Sequence, residues 1–313
     1  MRDRLDELYA LMRQLVADEF ELIDDINDHL LLKRGKLFRP TLLLLSNEIG
    51  GRPSRDAIRV AAVVEAVHLA TLVHDDAVDH SALRRGMPTV NSLWGHQVAI
   101  IMGDFLYSRS VVELSRLGRV ELIQVLAEAA NTMTIGEMRQ LVMHDSLAFT
   151  EDDYYRLISA KTAALMSAAC ELGALVGAPE YREPLKSFGY ALGMAFQIAD
   201  DILDYTGSED VTGKPSGQDL REHKVTLPLI AALPNFDDEQ RLAVSALFAD
   251  PEPEDGLIAR VIEATEQRGG VEFARAGARA YADEALSAIA DLPESPAAAA
   301  LADAVGYAVD RRQ

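Results

Sequence analysis

Apolar residues recur at α-helical spacing along almost the whole chain, and strict alternation over a strand length is scarce. Alanine and leucine, both strong helix formers, dominate over β-branched runs. The periodicity therefore predicts an all-α fold. It predicts one or two amphipathic helices over 4–32, helices that begin near Pro40 and Ser54, and further helices over 92–117, 119–146, 151–177, 181–206, 224–233, 237–249, 254–267, 270–290 and from about 295.

The sequence has no Pro- or Ser-rich linker and no break in composition, so residues 1–313 are predicted to form a single domain. The longest loop-like segment covers residues 207–224 and is polar and glycine-rich. Long loops in compact domains usually carry function. We therefore expect this segment to contribute to a site.

The formal charge of −20 argues against nucleic acid as a partner, because the sequence has no basic stripe that could displace counterions from phosphates. Cys170 is the single cysteine, so no internal disulfide can form, and its small apolar neighbours indicate a buried structural thiol. The first residues lack the apolar core of a signal peptide, and no uninterrupted apolar run reaches the roughly 18 residues of a spanning helix. We expect a cytoplasmic protein that is not membrane-integral and binds no nucleic acid.

Two acidic motifs of the form D-D-x-x-D each follow a strongly apolar helical stretch. One such motif could be a solvated helix end, but two copies favour a site. A spacing of four residues places the first and last carboxylates on one helix face, where they repel unless a cation lies between them. Such ligands suit Mg²⁺, which usually completes its shell with water and substrate phosphate. The motifs are Asp75, Asp76 and Asp79 in LVHDDAVD, and Asp200, Asp201 and Asp204 in FQIADDILDY.

If the two helices face each other across a cavity, the site would suit a ligand with a diphosphate head and a hydrocarbon tail. A diphosphate also needs cations, and arginine matches phosphate oxygens bidentately while lysine adds a point charge. Each basic residue alone could be an ordinary surface residue. The candidates are Lys36 and Arg39 in GKLFRP, Arg84 and Arg85 in LRRG, Lys161 in SAKTAAL, and Lys214 and Lys224 in and after the polar loop.

Nine segments follow one another along the chain in this order: GKLFRP, EAVHLATLVHDDAVD, LRRGMPTVN, GDFLYSRS, GEMRQL, SAKTAAL, GMAFQIADDILD, TGKPSGQDL and HKVTLPL. This ordered set resembles the trans-isoprenyl diphosphate synthases, the polyprenyl synthetase family. The resemblance covers about residues 30–230. It implies an isoprenoid synthase-type bundle of about ten or more helices around a central cavity. It also implies a Mg²⁺-dependent prenyltransferase that condenses isopentenyl diphosphate head-to-tail with an allylic diphosphate.

The resemblance implies a role for each candidate residue. The first motif would bind Mg²⁺ and the allylic diphosphate, and the second would supply a further ligand chiefly through Asp200, with three ions when substrate is bound. The allylic diphosphate would be bound by Arg84, Lys161, Lys214 and Lys224. Lys36, Arg39, His68 and Arg85 would bind isopentenyl diphosphate. Thr162 and Gln197 would lie beside the developing carbocation, so the catalytic set is Lys161, Thr162, Gln197, Asp75, Asp79 and Asp200.

Two positions, His68 and His223, allow more than one interpretation. A lone histidine on an apolar helix is usually a core residue, but His68 lies seven residues before Asp75, on the same helix face, which favours a phosphate ligand. The family often has glycine where this chain has His223, which leaves the local backbone and the placement of Lys224 open.

Product length depends, by the resemblance, on residues just before the first motif. Ala70 and Thr71 are small where short-chain enzymes commonly have an aromatic residue. This predicts a medium or long product of the kind used for quinone side chains. A short farnesyl or geranylgeranyl product stays open as the alternative, because Met133, Met138 or Phe196 on another helix could block the chain.

Other functions fit the motifs less well. Terpene cyclases and squalene-type synthases lack an isopentenyl diphosphate pocket, and cyclases usually replace the second aspartate motif. Non-catalytic partner subunits typically lose one or both motifs, and this chain keeps both. The resemblance therefore favours an active homodimer, and a heteromeric assembly with a second small chain stays open as the alternative.

Overall fold

The computed structural model describes residues 1–141, 146–207 and 216–309. They form an all-α fold, which confirms the predicted class. The helices are α1 (Arg2–Val16), α2 (Glu21–Leu30), α3 (Phe38–Glu48), α4 (Asp56–Val78), α5 (Val90–Trp94), α6 (His96–Ser115), α7 (Val120–Leu141), α8 (Glu151–Ile158), α9 (Ala164–Gly177), α10 (Arg182–Thr206), α11 (Gln218–Arg221), α12 (Leu227–Ala232), α13 (Asp238–Ala249), α14 (Asp255–Gln267), α15 (Gly270–Ala288) and α16 (Pro296–Val309).

The chain divides into two compact units. Unit 1 comprises Met1–Ala129, Ala168–Lys186 and Leu292–Ala298. Unit 2 comprises Ala130–Ser167, Ser187–Asp291 and Ala299–Gln313. The single-domain assignment from composition stays a prediction.

Helix α4 is the centre of unit 1, where it packs against α1, α3 and α6. Among the described residues it is the one helix long and apolar enough to cross a membrane by length and composition. Its Val60, Val63 and Val64 side chains are fully buried, as in the core helix of a folded unit. Cys170 is also buried, and burial raises the pKa of its thiol to about 12, as expected of a structural thiol.

A tight hairpin follows α4 in unit 1. Strands β1 (Leu83–Arg84) and β2 (Met87–Pro88) pair antiparallel. Both turn residues, Arg85 and Gly86, have positive φ, at 54° and 74°, which is the pattern of a type I′ turn. The turn therefore separates Arg84, in the strand, from Arg85, at the tip.

Unit 2 has its own core, to which α8, α10, α12, α14 and α15 contribute buried apolar side chains. A π-helical segment, Ser159–Ala163, directly follows α8. A Cβ on Gly136 of α7 would lie 2.5 Å from Ala160 Cβ, and one on Gly193 of α10 would lie 2.6 Å from Ala163 Cα. These two glycines allow α7 and α10 to approach the π segment closely, so its backbone is held from both sides.

Candidate active site

The first aspartate motif lies at the C-terminal end of α4. Asp76 is 6% exposed, and Arg84 Nε donates to both of its carboxylate oxygens at 2.8 Å. Burial raises the pKa of Asp76, and the charge of Arg84 opposes that rise. Asp75 is half-buried and Asp79, the C-cap residue, is exposed. Asp76 is therefore bound within the unit, whereas Asp79 faces solvent.

A half-buried Arg–His pair joins α3 to α4 further back along α4. Arg39 Nη1 is 3.1 Å from His68 Nε2, and since a guanidinium only donates, Nε2 must accept. Burial, reinforced by the charges of Arg39, Arg85 and Arg84, holds the pKa of His68 well below its usual range. The imidazole is therefore neutral near pH 7. Arg39 Nε is buried without a hydrogen-bond partner, so this cation retains a donor for an anionic ligand.

Arg85, in the hairpin turn, lies in the same cluster as Arg39 and His68. A Cβ on Gly35 would lie 3.5 Å from both Arg85 Nη1 and Glu65 Oε1. Burial raises the pKa of Glu65, while the charges of Arg39 and Arg85 lower it. A small cavity of about 60 Å³ is lined by Glu65, His68 and Arg85 among other residues. Lys36 is exposed, just before α3.

In unit 2 a chain of hydrogen bonds links three helical segments. Thr162 Oγ1, on the π segment, donates to Gln197 Oε1 at 2.7 Å, and Gln197 Nε2 donates to Asp201 Oδ1 at 2.8 Å. Tyr154 of α8 donates its hydroxyl to Asp201 Oδ2 at 2.6 Å. Burial raises the pKa of Asp201 well above its usual range. The predicted polar pair Thr162–Gln197 is thus joined to the second aspartate motif.

The other two aspartates of that motif differ from Asp201. Asp204 accepts hydrogen bonds from the backbone N–H groups of Gln218 and Asp219, both at 2.9 Å. Its carboxylate therefore caps the N-terminus of α11. Asp200 is exposed. Asp219 lies close by, and burial together with the charge of Asp204 raises its pKa to about 7.

The two predicted lysines that lie in the described part of unit 2 both have an acidic neighbour. Lys161 Nζ lies 2.6 Å from Glu137 Oε1, and Lys224 Nζ lies 2.6 Å from Glu222 Oε2. Lys214 lies outside the described residues. The two described lysines are half-buried.

Several site residues have no signal in the sequence. Tyr154 and Glu65 each occupy a helical position that periodicity assigns to a core or a solvated face. Glu137 and Asp219 carry charges that a sequence pattern does not pair with Lys161 or Asp204. Only the folded backbone brings these groups together.

The carboxylates fit Mg²⁺ as part of its ligand shell. Within the described parts of the chain, no three His, Cys, Asp or Glu side chains converge into a ready-made metal site. Mg²⁺ typically uses one or two carboxylates and fills its remaining positions with water and substrate phosphate. Asp75 is half-buried and Asp79 and Asp200 are exposed, so these carboxylates are accessible to an ion. Asp76 accepts from Arg84, Asp201 from Tyr154, and Asp204 from the backbone at the start of α11.

A polyprenyl synthetase family model matches residues 20–265. The chain belongs to the polyprenyl synthetase family. An all-trans-nonaprenyl-diphosphate synthase (geranyl-diphosphate specific) of Rhodobacter capsulatus is 39% identical to this polyprenyl synthetase, over 97% of this chain and 95% of its own. An octaprenyl diphosphate synthase of Escherichia coli (strain K12) is 36% identical, over 96% and 94%.

A short chain isoprenyl diphosphate synthase of Methanothermobacter thermautotrophicus is also 36% identical, over 91% and 89%. A crystal structure of polyprenyl synthase from Caulobacter crescentus CB15, complexed with calcium and isoprenyl diphosphate, superposes with a TM-score of 0.92 at 32% identity, covering 100% of this chain and 96% of that one. The relatives therefore confirm the family, and the solved structure shows that one member binds a divalent cation.

Proposed function

We propose that this polyprenyl synthetase condenses isopentenyl diphosphate head-to-tail with an allylic diphosphate and makes an all-trans polyprenyl diphosphate of medium or long chain. One observation in unit 1 carries the proposal. Carboxylates lie at the end of α4, and His68 lies seven residues before Asp75 on that helix, about 10 Å away along its axis, where it contacts Arg39 of α3. The proposed metal ligands and the histidine of the proposed anion-binding cluster thus lie on one rigid helix.

The two clusters suit two diphosphates. Arg84, held at Asp76, accompanies the carboxylates, and we assign it with Lys161, Lys214 and Lys224 to the allylic diphosphate. Arg39 retains a buried N–H donor, and Arg85 lies near Glu65. We assign these two arginines, with Lys36 and His68, to isopentenyl diphosphate. Neutral His68 can donate a hydrogen bond through Nδ1 while Nε2 accepts from Arg39.

The reaction begins when the allylic diphosphate leaves and an allylic cation forms. Arg84 and the lysines stabilise the negative charge that develops on the departing diphosphate. Gln197 and Thr162 present fixed amide and hydroxyl dipoles, which stabilise positive charge on the cation without supplying a nucleophile. The double bond of isopentenyl diphosphate then attacks the cation, and a proton is lost to the released diphosphate.

Three Mg²⁺ ions, when bound, would neutralise the allylic diphosphate and make it a better leaving group. Asp75 and Asp79 would hold two of them and Asp200 the third. Asp76, Asp201 and Asp204 would orient these ligands through Arg84, Tyr154, Gln197 and the N-terminus of α11. Outer groups of this kind fix the geometry of metal ligands.

Product length follows from two small residues before the first motif. Ala70 is 2% exposed, and Thr71 Oγ1 donates to His68 O within its own helix at 2.8 Å. Neither side chain is large enough to stop a growing isoprenoid. The octaprenyl and nonaprenyl relatives favour a medium or long product over the short-chain alternative.

We further propose a cytoplasmic homodimer that is not membrane-integral and binds no nucleic acid. The burial of α4 in unit 1 supports its role as a core helix, and the net charge of −20 opposes binding to a polyanion. Both aspartate motifs are retained, which favours an active subunit over a non-catalytic partner.

The test is incorporation of labelled isopentenyl diphosphate by the purified protein with geranyl, farnesyl or geranylgeranyl diphosphate as primer. We expect Mg²⁺-dependent incorporation that EDTA abolishes and that returns when Mg²⁺ is restored. Absence of incorporation with every primer at saturating Mg²⁺ would reject the proposed activity.

A further inference from the structure

We infer that His223 is a positioning residue that holds the turn before Lys224 and so places the Lys224 ammonium group. The inference rests on the proposed role of Lys224 in binding the allylic diphosphate. It concerns a position where the resemblance to the family leads one to expect glycine and this chain has histidine.

The backbone at His223 is left-handed. Its φ is 54°, in the region that glycine occupies without cost and that a histidine adopts only when its surroundings hold it there. The backbone on either side is fixed: His223 N donates to Leu220 O at 3.0 Å, and Lys224 N donates to Asp219 O at 2.7 Å. The left-handed residue thus reverses the chain between α11 and the buried Val225.

Contacts of the His223 imidazole offset the cost of this left-handed backbone conformation. His223 Nε2 lies 2.8 Å from Asp250 O and 3.2 Å from Leu247 O, and both are carbonyl groups at the C-terminal end of α13. The ring also packs against Phe248, with centroids 5.7 Å apart. Carbonyl groups at a helix end lack intrahelical partners, so the ring N–H gives Asp250 O a donor, while Leu247 O also accepts from Asp250 N.

These contacts connect Lys224 to the second aspartate motif. Asp204 caps the N-terminus of α11 through Gln218 and Asp219. The carbonyl group of Asp219 then receives the backbone N–H of Lys224. The side chain of His223 fixes the other end of this short segment to α13. We therefore infer that histidine achieves here by side-chain bonding what glycine would achieve by conformational freedom.

Three substitutions separate backbone conformation from side-chain bonding. His223→Ala disfavours the left-handed φ and removes the donor, His223→Gly permits the φ but removes the donor, and His223→Asn tolerates the φ and keeps a donor. We expect the alanine variant to raise KM for the allylic primer about tenfold, equivalent to 1.4 kcal/mol. The glycine variant should show a rise of about twofold to threefold, and the asparagine variant should restore most of the wild-type KM.

The kcat and the KM for isopentenyl diphosphate should change by less than about twofold in all three variants. A merely structural role would instead shift kcat and both KM values together. Because His223 is inferred to act through Lys224, His223→Ala should add almost nothing to the KM of a Lys224→Ala protein.

Two results would overturn the inference while the proposed function stands: an unchanged allylic KM in His223→Ala, or full additivity in the double variant. Failure of the wild-type protein to incorporate isopentenyl diphosphate would instead reject the proposed function. The two failures are therefore distinguishable in one set of assays.

Discussion

Tyr154 donates its hydroxyl to Asp201 at 2.6 Å, and this contact determines how the second aspartate motif can work. Gln197 donates to the other oxygen of the same carboxylate. Asp204 is engaged at the N-terminus of α11. Three aspartates that look equivalent in the sequence therefore have three different environments, and Asp200 is the exposed one.

Tyr154→Phe should destabilise the protein. It removes one donor from a carboxyl group that is 6% exposed, and leaving a buried acceptor partly unsatisfied costs about 1–3 kcal/mol. Urea denaturation gives the free energy of unfolding. Tyr155→Phe is the matched control, since it removes the hydroxyl of the neighbouring, less buried tyrosine. Equal stability of the Tyr154→Phe protein and the wild type would contradict the role of this hydrogen bond.

Asp200→Ala and Asp204→Ala should fail in different ways. We expect Asp200→Ala to lose most turnover with an unchanged unfolding midpoint, because its side chain is exposed and assigned to Mg²⁺. Asp204→Ala should lose about 1–2 kcal/mol of stability, because it removes the cap of α11. Turnover at saturating Mg²⁺ and thermal unfolding of both variants check this.

The first motif provides a parallel case. Asp75→Ala should match Asp200→Ala, with most turnover lost. Near-normal turnover in either of these variants at saturating Mg²⁺ would reject the metal assignment. A stable Asp204→Ala protein would reject the capping role.

His68 should make stability depend on pH in a defined direction. Its pKa in the folded protein lies well below 6.5, so the unfolded chain takes up a proton first as the pH falls. The stability of the wild type relative to His68→Gln should therefore be constant above about pH 7.5 and fall below about pH 6.5, by up to about 1.4 kcal/mol per pH unit. Glutamine cannot titrate but still offers an acceptor to Arg39.

Comparison of the two proteins also removes the contribution of the carboxyl groups. Asp219, with a pKa raised to about 7, is present in both and acts in the opposite direction, because the folded protein holds its proton more tightly. Unfolding free energies measured from about pH 7.5 to pH 5 test the difference. A constant difference across this range would show that His68 is protonated equally in both states.

Ala70→Phe should shorten the product to farnesyl or geranylgeranyl length with activity retained. Phenylalanine at this buried position adds bulk just before the first motif, at a cost of about 1–3 kcal/mol for overpacking. Thr71→Phe tests the adjacent position, and Thr71→Ser keeps the hydroxyl without added bulk. Mass spectrometry of the products gives the length. An unchanged length in both phenylalanine variants would place the limit on another helix.

Most helices could be predicted from the sequence because their apolar faces repeat regularly over many residues. The segments 237–249, 254–267 and 181–206 differ from α13, α14 and α10 by no more than one residue at either end. The start of α4 was predicted less accurately: the helix was expected to begin near Ser54, but it begins at Asp56 with Arg55 as the N-cap residue, and Ser54 Oγ accepts from Asp56 N. Caps depend on local hydrogen bonds that periodicity does not record.

Two local features could not be predicted from the hydrophobic periodicity, for physical reasons. The π segment Ser159–Ala163 interrupts the predicted helix 151–177, and its setting against Gly136 and Gly193 is a tertiary relationship. The β1–β2 hairpin is two residues per strand, too short for alternation to appear. The proposed assignment of Arg84 and Arg85 to different diphosphates therefore draws on a turn that only the folded structure reveals.

At the site, too, residue types predict which side chains are candidates, whereas tertiary packing determines their contacts. Residue type, spacing and the resemblance were sufficient to predict the aspartates, His68 and the cations as candidates, and their roles stay predictions. The sequence alone could not show that Asp76 binds Arg84, that Asp204 caps α11 or that Tyr154 holds Asp201. Those contacts join residues from different helices and loops, so they depend on the fold.

The most direct test of the central claim is the mass distribution of products that the purified protein makes from isopentenyl diphosphate, an allylic primer and Mg²⁺. We predict a ladder of all-trans polyprenyl diphosphates that extends well beyond geranylgeranyl diphosphate and disappears with EDTA. Products that stop at farnesyl or geranylgeranyl diphosphate would contradict the medium- or long-chain assignment. No Mg²⁺-dependent product with any primer would contradict the account as a whole.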